Sequence, residues 1–234
     1  SSSSRNGAGS GGAPNALWRN NGDGTFTEVA TEAGIDGGSA ATVGVLFFDF
    51  DDDRDLDLYL INHASPNRLF LNDRVGRYTD ATSWFPELAD DGPGLGALLG
   101  DLDRNGREDL LLLRGSKPPR LFLQLERGRF VEEHAFGALA QGLGGAVGGI
   151  IGDIDLDGDF DLVFFSTGTK GKIGHQILMN KGTGHFDPPV FFGPEIAAPE
   201  SRGAVAVDLD GDGSLELIVA RVGAPPELWH APAP

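Results

Sequence analysis

Short apolar runs that end in turn residues recur along the whole chain, whereas no segment has a convincing helical period. In the first instance, Ala16 to Trp18 leads into the turn Asn20 to Gly24, and Thr25 to Val29 then alternates between polar and apolar residues. Asn-Gly and Asp-Gly steps favour tight hairpin turns, so the stretch predicts a strand, a turn and a second strand. The copies place a leucine or isoleucine at the matching position, at residues 17, 69, 121, 177 and 228.

Two further strands are predicted on either side of an acidic segment in each repeat. A run rich in small and apolar residues precedes the acids, as in Val43 to Phe48, and a second apolar run follows them, as in Leu58 to Leu60. The later copies are Leu95 to Gly100 with Leu110 to Leu112, Val147 to Gly152 with Leu162 to Phe165, and Gly203 to Val207 with Leu217 to Ala220. Small residues suit the crowded innermost strand of a radial array, where backbones approach closely.

These repeats predict an all-β fold class, a β-propeller of four-stranded blades with about four repeats of roughly 52 residues. The pattern begins and ends on the third strand of a unit, which leaves one strand more than four closed blades need. The strand around Phe26 can complete the last blade, which makes either Leu17-Trp18 or Leu228-Trp229 surplus. Alternatively, the chain is an arc of a larger propeller.

Acidic side chains stand at every second position of the segment Asp153 to Asp161. The same nine-residue pattern, with a few substitutions, occurs in four loops, which we number first to fourth: Asp49 to Asp57, Asp101 to Asp109, Asp153 to Asp161 and Asp208 to Glu216. So many carboxylates in one short loop repel one another unless a cation lies among them. Calcium takes about six to eight oxygen ligands in irregular geometry, which alternating carboxylates and carbonyls supply. The sequence therefore predicts about four Ca2+ ions. Strands flank the loops and the bidentate glutamate is absent, so they are not EF-hands.

Each predicted site takes side-chain oxygens from the first, third, fifth and ninth positions of its loop and a backbone carbonyl from the seventh. The side-chain ligands are Asp49, Asp51, Asp53 and Asp57; Asp101, Asp103, Asn105 and Asp109; Asp153, Asp155, Asp157 and Asp161; and Asp208, Asp210, Asp212 and Glu216. The carbonyl ligands are those of Asp55, Arg107, Asp159 and Ser214. With every coordination position filled by the loop, we expect structural and not catalytic calcium.

The sixth position separates the first loop from the others. Gly106, Gly158 and Gly213 occupy it in the last three loops, where glycine permits the left-handed turn that wraps the chain around an ion. Arg54 occupies it in the first loop, and a side chain of that size disfavours positive φ. We therefore expect weaker calcium binding, or a bent loop, at the first site.

Composition narrows the possible partners. The chain has 234 residues, 40% of them hydrophobic, and a formal net charge of -17. Nucleic acids and anionic membrane surfaces need a basic face, so neither is expected as a principal partner. No apolar run approaches the roughly 20 residues of a transmembrane helix. The chain has no cysteine, so disulfides cannot stabilise it.

Residues 1–14 form a serine- and glycine-rich tract that cannot bury enough apolar surface to order itself. We interpret it as a flexible tether that precedes a propeller over residues 15–234. Such a tether fits an exported protein, including one attached by a lipid at its N-terminus. An ordinary interdomain linker is an equally good interpretation.

The motifs together resemble a known repeat. The D-x-D-x-D-G-x-x-D pattern between apolar strands, the segment Asn20 to Phe26, and the pairs Phe136-Gly137 and Phe192-Gly193 are similar to the FG-GAP/VCBS repeat. That repeat builds the integrin α-subunit propeller and the cartilage acidic protein family, which is ASPIC/UnbV-like. The resemblance covers roughly residues 15 to 230. It implies a calcium-binding propeller, while propellers of this kind serve adhesion, glycan binding and scaffolding alike.

The function predicted is that of an extracellular calcium-binding propeller that serves as a protein-binding, scaffolding or adhesion module, secreted, on the cell surface or periplasmic. Candidate recognition loops are Asn62 to Asn67, Trp84 to Gly94 and Ser166 to Gly174, and Trp84 is the candidate exposed contact. We expect Trp18 and Trp229 to pack in the core or between blades.

Three alternatives compete with this prediction. The first is a calcium-dependent lectin that holds glycan on exposed aromatic residues. The second is a structural subunit of a larger cell-surface assembly. The third is an enzyme, which we do not expect, because the acids outside the loops form no pairs. The five histidines, His63, His134, His175, His185 and His230, share no ligand spacing and have no obvious nucleophile partner.

Overall fold

The computed structural model describes residues 13–36, 38, 40–90, 92, 94–115, 117–143, 146–166, 174–192, 201–221 and 223–230. These residues form two compact units, which belong to Ser1–Gly94 and Leu95–Pro234. Strands dominate both units, so the predicted all-β fold class is confirmed. Most of the predicted tether lies outside the described residues, and its separation from the propeller stays a prediction.

The first unit contains a two-stranded hairpin and a four-stranded antiparallel sheet. The hairpin pairs β1 (Trp18–Asn20) with β2 (Phe26–Glu28). The four-stranded sheet consists of β3 (Thr42–Phe48), β4 (Asp57–Asn62), β5 (Arg68–Asn72) and β6 (Tyr78–Asp80), in chain order. A short helix, α1 (Ala30–Ala33), lies between hairpin and sheet in the sequence and buries Ala30 and Ala33.

The second unit contains three antiparallel sheets, each again in chain order. The first consists of β7 (Gly96–Gly100), β8 (Asp109–Leu113), β9 (Arg120–Glu126) and β10 (Arg129–Glu132). The second consists of β11 (Ala146–Gly152), β12 (Asp161–Ser166), β13 (His175–Leu178) and β14 (Val190–Phe192). The third has three strands, β15 (Ser201–Val207), β16 (Glu216–Arg221) and β17 (Glu227–His230). These meanders are propeller blades.

The acidic loops hold the same place in every blade, between its first strand and its second. The second strand is the most buried, and all residues of β4 and β8 are shielded from solvent. It is also apolar on both faces, which matches a strand that has neighbours on either side. Each acidic loop therefore starts from a strand edge and returns into the centre of its own sheet.

The residue at the second position of the first three loops reaches the core. Phe50 and Leu102 are 0% exposed and Ile154 is 1% exposed, whereas Leu209 of the fourth loop is 53% exposed. Leu102 lies in a cluster with side chains of β12 and β13, and Ile154 lies in a cluster with side chains of β16. Within the second unit, the second and third loops are thus packed against the blade that follows them.

The structure differs from the sequence prediction in several local features. Helix α2 (His134–Ala140) follows β10 and was not predicted; the Glu133 side chain caps it by accepting from the Ala135 N–H, and Phe136 and Ala140 are buried. The fourth strand of the second blade in this unit is β14, whereas the expected strand around Phe186 is a single bridge to Asn180. Alternating hydrophobicity over a few residues cannot separate a strand from a bridge.

The expectation that Trp18 packs in the core is wrong, because its side chain is 60% exposed. It lies in a short hairpin whose six strand residues are all exposed. Trp229 does pack against a core cluster, as expected. Among the described residues, no helix is long and apolar enough to cross a membrane.

Candidate metal centres

Each acidic loop brings three carboxylates together, with one oxygen from each within 4.8 Å of the others. In the last three loops these are the first, third and ninth residues, namely Asp101, Asp103 and Asp109; Asp153, Asp155 and Asp161; and Asp208, Asp210 and Glu216. In the first loop they are Asp49, Asp51 and Asp53. Four acidic clusters could therefore hold metal ions.

Backbone N–H groups of the loop hold these carboxylates in place. The residue at the first position accepts from the N–H of the sixth, at 2.8 Å for Asp49, 2.9 Å for Asp101, 3.1 Å for Asp153 and 3.0 Å for Asp208. The residue at the fifth position accepts from the N–H of the seventh in all four loops. These local turns are the type that Asp and Asn side chains favour. The backbone thus turns around the cluster before any ion binds.

The ninth residue has a second role, which the sequence did not predict: its carboxylate accepts hydrogen bonds from the backbone. One carboxylate oxygen accepts from the N–H of the second residue. The other oxygen accepts from a backbone N–H of the third strand in Asp57 and Asp109, and from the N–H of Asn180, just after the third strand, in Asp161. In the fourth loop, Glu216 accepts from the N–H of Leu209 and its other oxygen lies 3.2 Å from His230 Nδ1. All four ninth residues are buried. They therefore join loop and sheet, and in the last three loops they also belong to the carboxylate cluster.

Left-handed backbone occurs at two positions of every loop. The sixth residue has φ of 71° at Arg54, 84° at Gly106, 91° at Gly158 and 93° at Gly213. The fourth residue has φ of 57° at Asp52, 60° at Arg104, 62° at Leu156 and 78° at Gly211. Only Gly211 gives a sequence signal at the fourth position, because the other three share no residue type. The expected strain at Arg54 is present in the structure.

Replacement Arg54→Gly is expected to stabilise the metal-free protein by about 1 kcal/mol, because strain at a left-handed residue costs roughly 1–2 kcal/mol and glycine's freedom when unfolded offsets part of it. It should also tighten calcium binding at the first loop, since a positive charge leaves. Denaturation in chelator and calcium titration measure the two effects. Arg54→Ala is the control, because it removes the charge and keeps the strain; equal stabilisation by both variants would contradict the explanation.

The first loop differs from the others because an arginine side chain lies against its carboxylates. The guanidinium of Arg74 lies 3.3 Å from Asp53 and 3.2 Å from Asp55. Arg74 itself stands in the β5–β6 turn with φ of 63°. Among the described residues, no lysine or arginine is within salt-bridge distance of the clustered carboxylates in the other three loops. Asp57 also stays outside the group of three at this loop.

The third loop contains a buried carboxylate oxygen that shows whether its residues fit a metal ion. Oδ1 of Asp153 is buried and has no hydrogen-bond partner among the described residues, while Oδ2 accepts from Gly158. A buried carboxylate oxygen without a partner is costly unless a cation compensates it. Asp155 and Asp161 complete the oxygen cluster around it. The donor set is all oxygen, which suits Ca2+.

Burial changes the acidity of the ninth residues. It raises the pKa of Asp57 to about 6 and that of Asp109 to about 7, although the backbone N–H groups of Phe50 and Asn72, and of Leu102 and Gln124, oppose the change. Burial raises the pKa of Asp161 as well. Neighbouring acids of the same loop add to the effect. Without a metal ion, Asp109 of the second loop therefore keeps its proton up to a pH of about 7.

The metal-free protein is expected to lose stability as the pH rises from about 5 to about 7.5, since folded-state pKa values above the ordinary 3.8 mean that the fold binds protons that the unfolded chain releases. Calcium needs the ionised carboxylates, so its affinity should rise about tenfold over the same window. Thermal melts with chelator and with calcium at both pH values measure this. Asp109→Asn should reduce the pH dependence in chelator; an equal calcium effect at both pH values would contradict the prediction.

The twenty predicted ligand residues thus divide into two sets. The structure clusters twelve of them, the members of the four groups of three. Asp57, Asp157 and Asp212 lie outside those groups. The side-chain role of Asn105 and the carbonyl roles of Asp55, Arg107, Asp159 and Ser214 stay predictions. At the seventh position, the Asp159 side chain is 2.8 Å from Arg104, a partner from the second loop.

Repeated blade sheets, each with an acidic loop of the same geometry between its first strand and its second, define a propeller-repeat protein with candidate metal sites. The sequence profile described as FG-GAP-like repeat matches residues 6–60, 49–112, 101–164 and 153–219. The chain therefore belongs to the FG-GAP-like repeat family, and the predicted resemblance is confirmed.

Curated relatives agree with this family. The chain is 31% identical to cartilage acidic protein 1 of Homo sapiens over 160 residues, which are 64% of this chain and 24% of that protein. It is 30% identical to cartilage acidic protein 1 of Xenopus tropicalis over 208 residues, which are 83% of this chain and 31% of that protein. The chain thus spans less than a third of the length of these relatives.

Among solved structures, a Tc holotoxin pore of Photorhabdus luminescens aligns with 80% of this chain and 9% of its own, at 20% identity and a TM-score of 0.46. That similarity is too distant to bear on function.

Proposed function

We propose that this chain is an extracellular, calcium-stabilised propeller module that binds a protein partner in a scaffolding or adhesive role. Calcium would hold the loop end of each blade, and the segments outside the metal loops would form the recognition surface. The observation that carries the proposal is the convergence of three carboxylates in each of four loops.

The ligand chemistry supports calcium in particular. The clusters offer carboxylate oxygens on an irregular backbone turn, and no histidine or cysteine is in any of the four groups. Calcium accepts such irregular oxygen sites, whereas magnesium demands near-ideal octahedral geometry. Calcium modules outside cells work with weak sites, at about 10⁻⁴ to 10⁻³ M. Sites of that affinity fill only where free calcium is about millimolar, as it is outside cells, so we propose an extracellular location. Relatives named cartilage acidic protein support it.

Trp84 is the leading candidate for a partner contact. Its side chain is 61% exposed at the end of a 3-10 turn, Thr82–Trp84, beyond the last strand of its sheet. The following residues are anchored, with Leu88 1% exposed and the Leu88 carbonyl accepting from the Tyr59 hydroxyl at 2.6 Å. A rigidly presented tryptophan is typical of binding hot spots.

The two other candidate recognition loops give less support. Asn62 and Asn67 are buried, and the Asn62 N–H donates to Asn67 Oδ1 at 2.9 Å, so the ends of that loop are structural and only its tip is exposed. Most of the loop from Ser166 to Gly174 lies outside the described residues. Recognition by these loops stays a prediction.

We also propose that the module has no catalysis of its own. His175, the buried histidine of β13, lies between Phe165 and Phe192 and is 1% exposed, so a substrate has no access to it. The clustered acids are engaged with loop N–H groups and are the proposed metal ligands. Neither set has the open position that catalysis needs.

The experiment is a binding screen of the chain against arrays of secreted proteins and of glycans, in millimolar calcium and in chelator. We expect a calcium-dependent protein hit, and Trp84→Ala should weaken it about thirtyfold, as hot spots do. The matched control is Trp18→Ala, because Trp18 is equally exposed, at 60%, on another element. Both variants should fold normally.

The outcomes separate the proposals. Calcium-dependent binding to glycans and not to proteins would replace this function with that of a lectin, which exposed tryptophans also suit. A stable stoichiometric complex whose affinity is insensitive to calcium would favour a structural subunit. Absence of any binding in calcium would overturn the proposed function.

A further inference from the structure

Asn180 connects two acidic loops of the second unit. Its side-chain amide nitrogen donates to the Leu102 carbonyl at 2.7 Å, in the second loop, and to the Phe160 carbonyl at 2.8 Å, in the third loop. Its backbone N–H donates to Asp161 Oδ1 at 2.8 Å. Asn180 is only 4% exposed. One buried side-chain amide therefore donates one hydrogen bond to the backbone of each of two candidate metal sites.

These contacts complete a buried chain of hydrogen bonds between two clustered carboxylates. Asp109 Oδ2 accepts from the Leu102 N–H, the Leu102 carbonyl accepts from Asn180, and the Asn180 N–H donates to Asp161. Asp109 and Leu102 are 0% exposed and Asp161 is 1% exposed. Because water does not compete at buried bonds, a shift of one loop is transmitted to the other.

Further contacts hold the same two loops together. Arg104 at the fourth position of the second loop lies 2.8 Å from Asp159 of the third loop. The turn after Asn180 is packed against both loops: the Gly184 N–H donates to the Leu102 carbonyl at 3.0 Å, and a Cβ at Gly182 would lie 2.6 Å from Asp159 Oδ2. Leu102 also packs in a cluster with Leu162 and Leu178 of the next blade.

The corresponding residue of the first unit makes local contacts instead. Asn72 is the last residue of β5, and Asn180 lies two residues after the end of β13. The backbone N–H of Asn72 likewise donates to a ninth residue, Asp57. Its side-chain amide, however, donates to the Leu56 carbonyl of its own loop, at 3.1 Å. The side-chain amide of Asn72 therefore donates to one acidic loop, whereas that of Asn180 donates to two.

We propose that the second and third loops bind calcium cooperatively and that Asn180 is the positioning residue that couples them. This rests on the proposed calcium function. An ion in the second loop fixes Asp109 and, through the Leu102 backbone, the amide of Asn180. The third loop then loses less conformational freedom when its own ion binds, so its affinity rises; by linkage, the effect is reciprocal.

The test is a calcium titration of the full chain followed by 15N NMR, with free calcium set by a chelator buffer. The N–H groups of Gly106, Gly158 and Gly213 donate to the first carboxylates of the second, third and fourth loops, so each reports one site. Asp103→Asn disables the second loop with a residue of the same shape. The matched control is Asp210→Asn, at the third position of the fourth loop.

Coupling predicts that Asp103→Asn raises the calcium midpoint of the Gly158 signal about fivefold or more, whereas Asp210→Asn leaves it unchanged. In Asn180→Ala, the Gly106 and Gly158 midpoints should separate and Asp103→Asn should no longer affect Gly158. Asn72→Ala is the control for that variant. If Asn180→Ala does not fold, Arg104→Gln, at an exposed position, should still reduce the effect.

An unchanged Gly158 midpoint in Asp103→Asn would overturn the coupling while the calcium function stands. If none of the three glycine signals moves in millimolar calcium, the calcium function itself fails. A common shift of Gly158 by Asp103→Asn and Asp210→Asn would also overturn the proposal, because it indicates general loosening of the unit and not a specific link.

Discussion

Removal of calcium by a chelator is expected to lower the Tm of this protein by at least about 10 °C. Each site that binds only the folded state adds about 2.7 kcal/mol when free calcium is a hundred times the Kd. In a chain of this size, 1 kcal/mol changes the Tm by roughly 2–4 °C. Without calcium, the acids of the four clusters repel one another. The chain also has no cysteine and hence no disulfides to offset that repulsion, so we expect the fold to depend on the calcium contribution.

Scanning calorimetry with calcium, with magnesium and with chelator measures this effect. Magnesium should restore only a small part of the loss, since it does not accept irregular oxygen sites. The combined variant Asp103→Asn and Asp155→Asn should melt in calcium several degrees below the wild type and respond less to chelator. Equal Tm values in millimolar calcium and in chelator would show that the acidic loops are not stabilising metal sites.

Replacement Asp161→Ala is expected to destabilise the protein even when no calcium is present. Asp161 accepts from the N–H of Ile154 at 2.9 Å and of Asn180 at 2.8 Å, and it is 1% exposed. Leaving a buried donor unsatisfied costs about 1–3 kcal/mol, so two donors give a loss of roughly 2–5 kcal/mol. The metal-binding loss adds to this in calcium.

Asp155→Ala provides the matched comparison. Asp155 belongs to the same cluster, but among the described residues it accepts one long bond, 3.3 Å, from the Asp157 N–H. It should lose calcium affinity while changing the unfolding free energy in chelator by about 0.5 kcal/mol or less. If Asp161→Ala fails to fold, Asp161→Asn retains one acceptor and should show an intermediate loss. Equal losses for Asp155→Ala and Asp161→Ala in chelator would contradict the anchoring role.

The repeated parts of the fold could be predicted from local patterns. Alternation with period two, hairpin turn residues and evenly spaced acids all depend on neighbours in the sequence, and they predicted the all-β blades and the acidic loops. Arg54 was also recognisable, because glycine stands at the same position in the three other loops. Its positive φ of 71° agrees with that comparison.

Other features depend on partners that the sequence does not place together. The Asn180 amide meets Leu102, 78 residues away, and nothing near Asn180 in the chain indicates that contact. Left-handed backbone at Arg104 and Leu156 arises from the turn geometry, without a shared residue type. The exposure of Trp18 follows from a short hairpin with no buried strand residue, which its hydrophobicity alone could not reveal.

The contact of Arg74 with Asp53 and Asp55 bears on how the sheets form when no metal ion is present. When no cation is bound, the carboxylates within each acidic loop repel one another. The first loop carries its own counter-charge, which neither a chelator nor a calcium-poor compartment can remove. We therefore expect the sheet of β3–β6 to depend less on a metal ion for its formation than the sheets that carry the other three acidic loops.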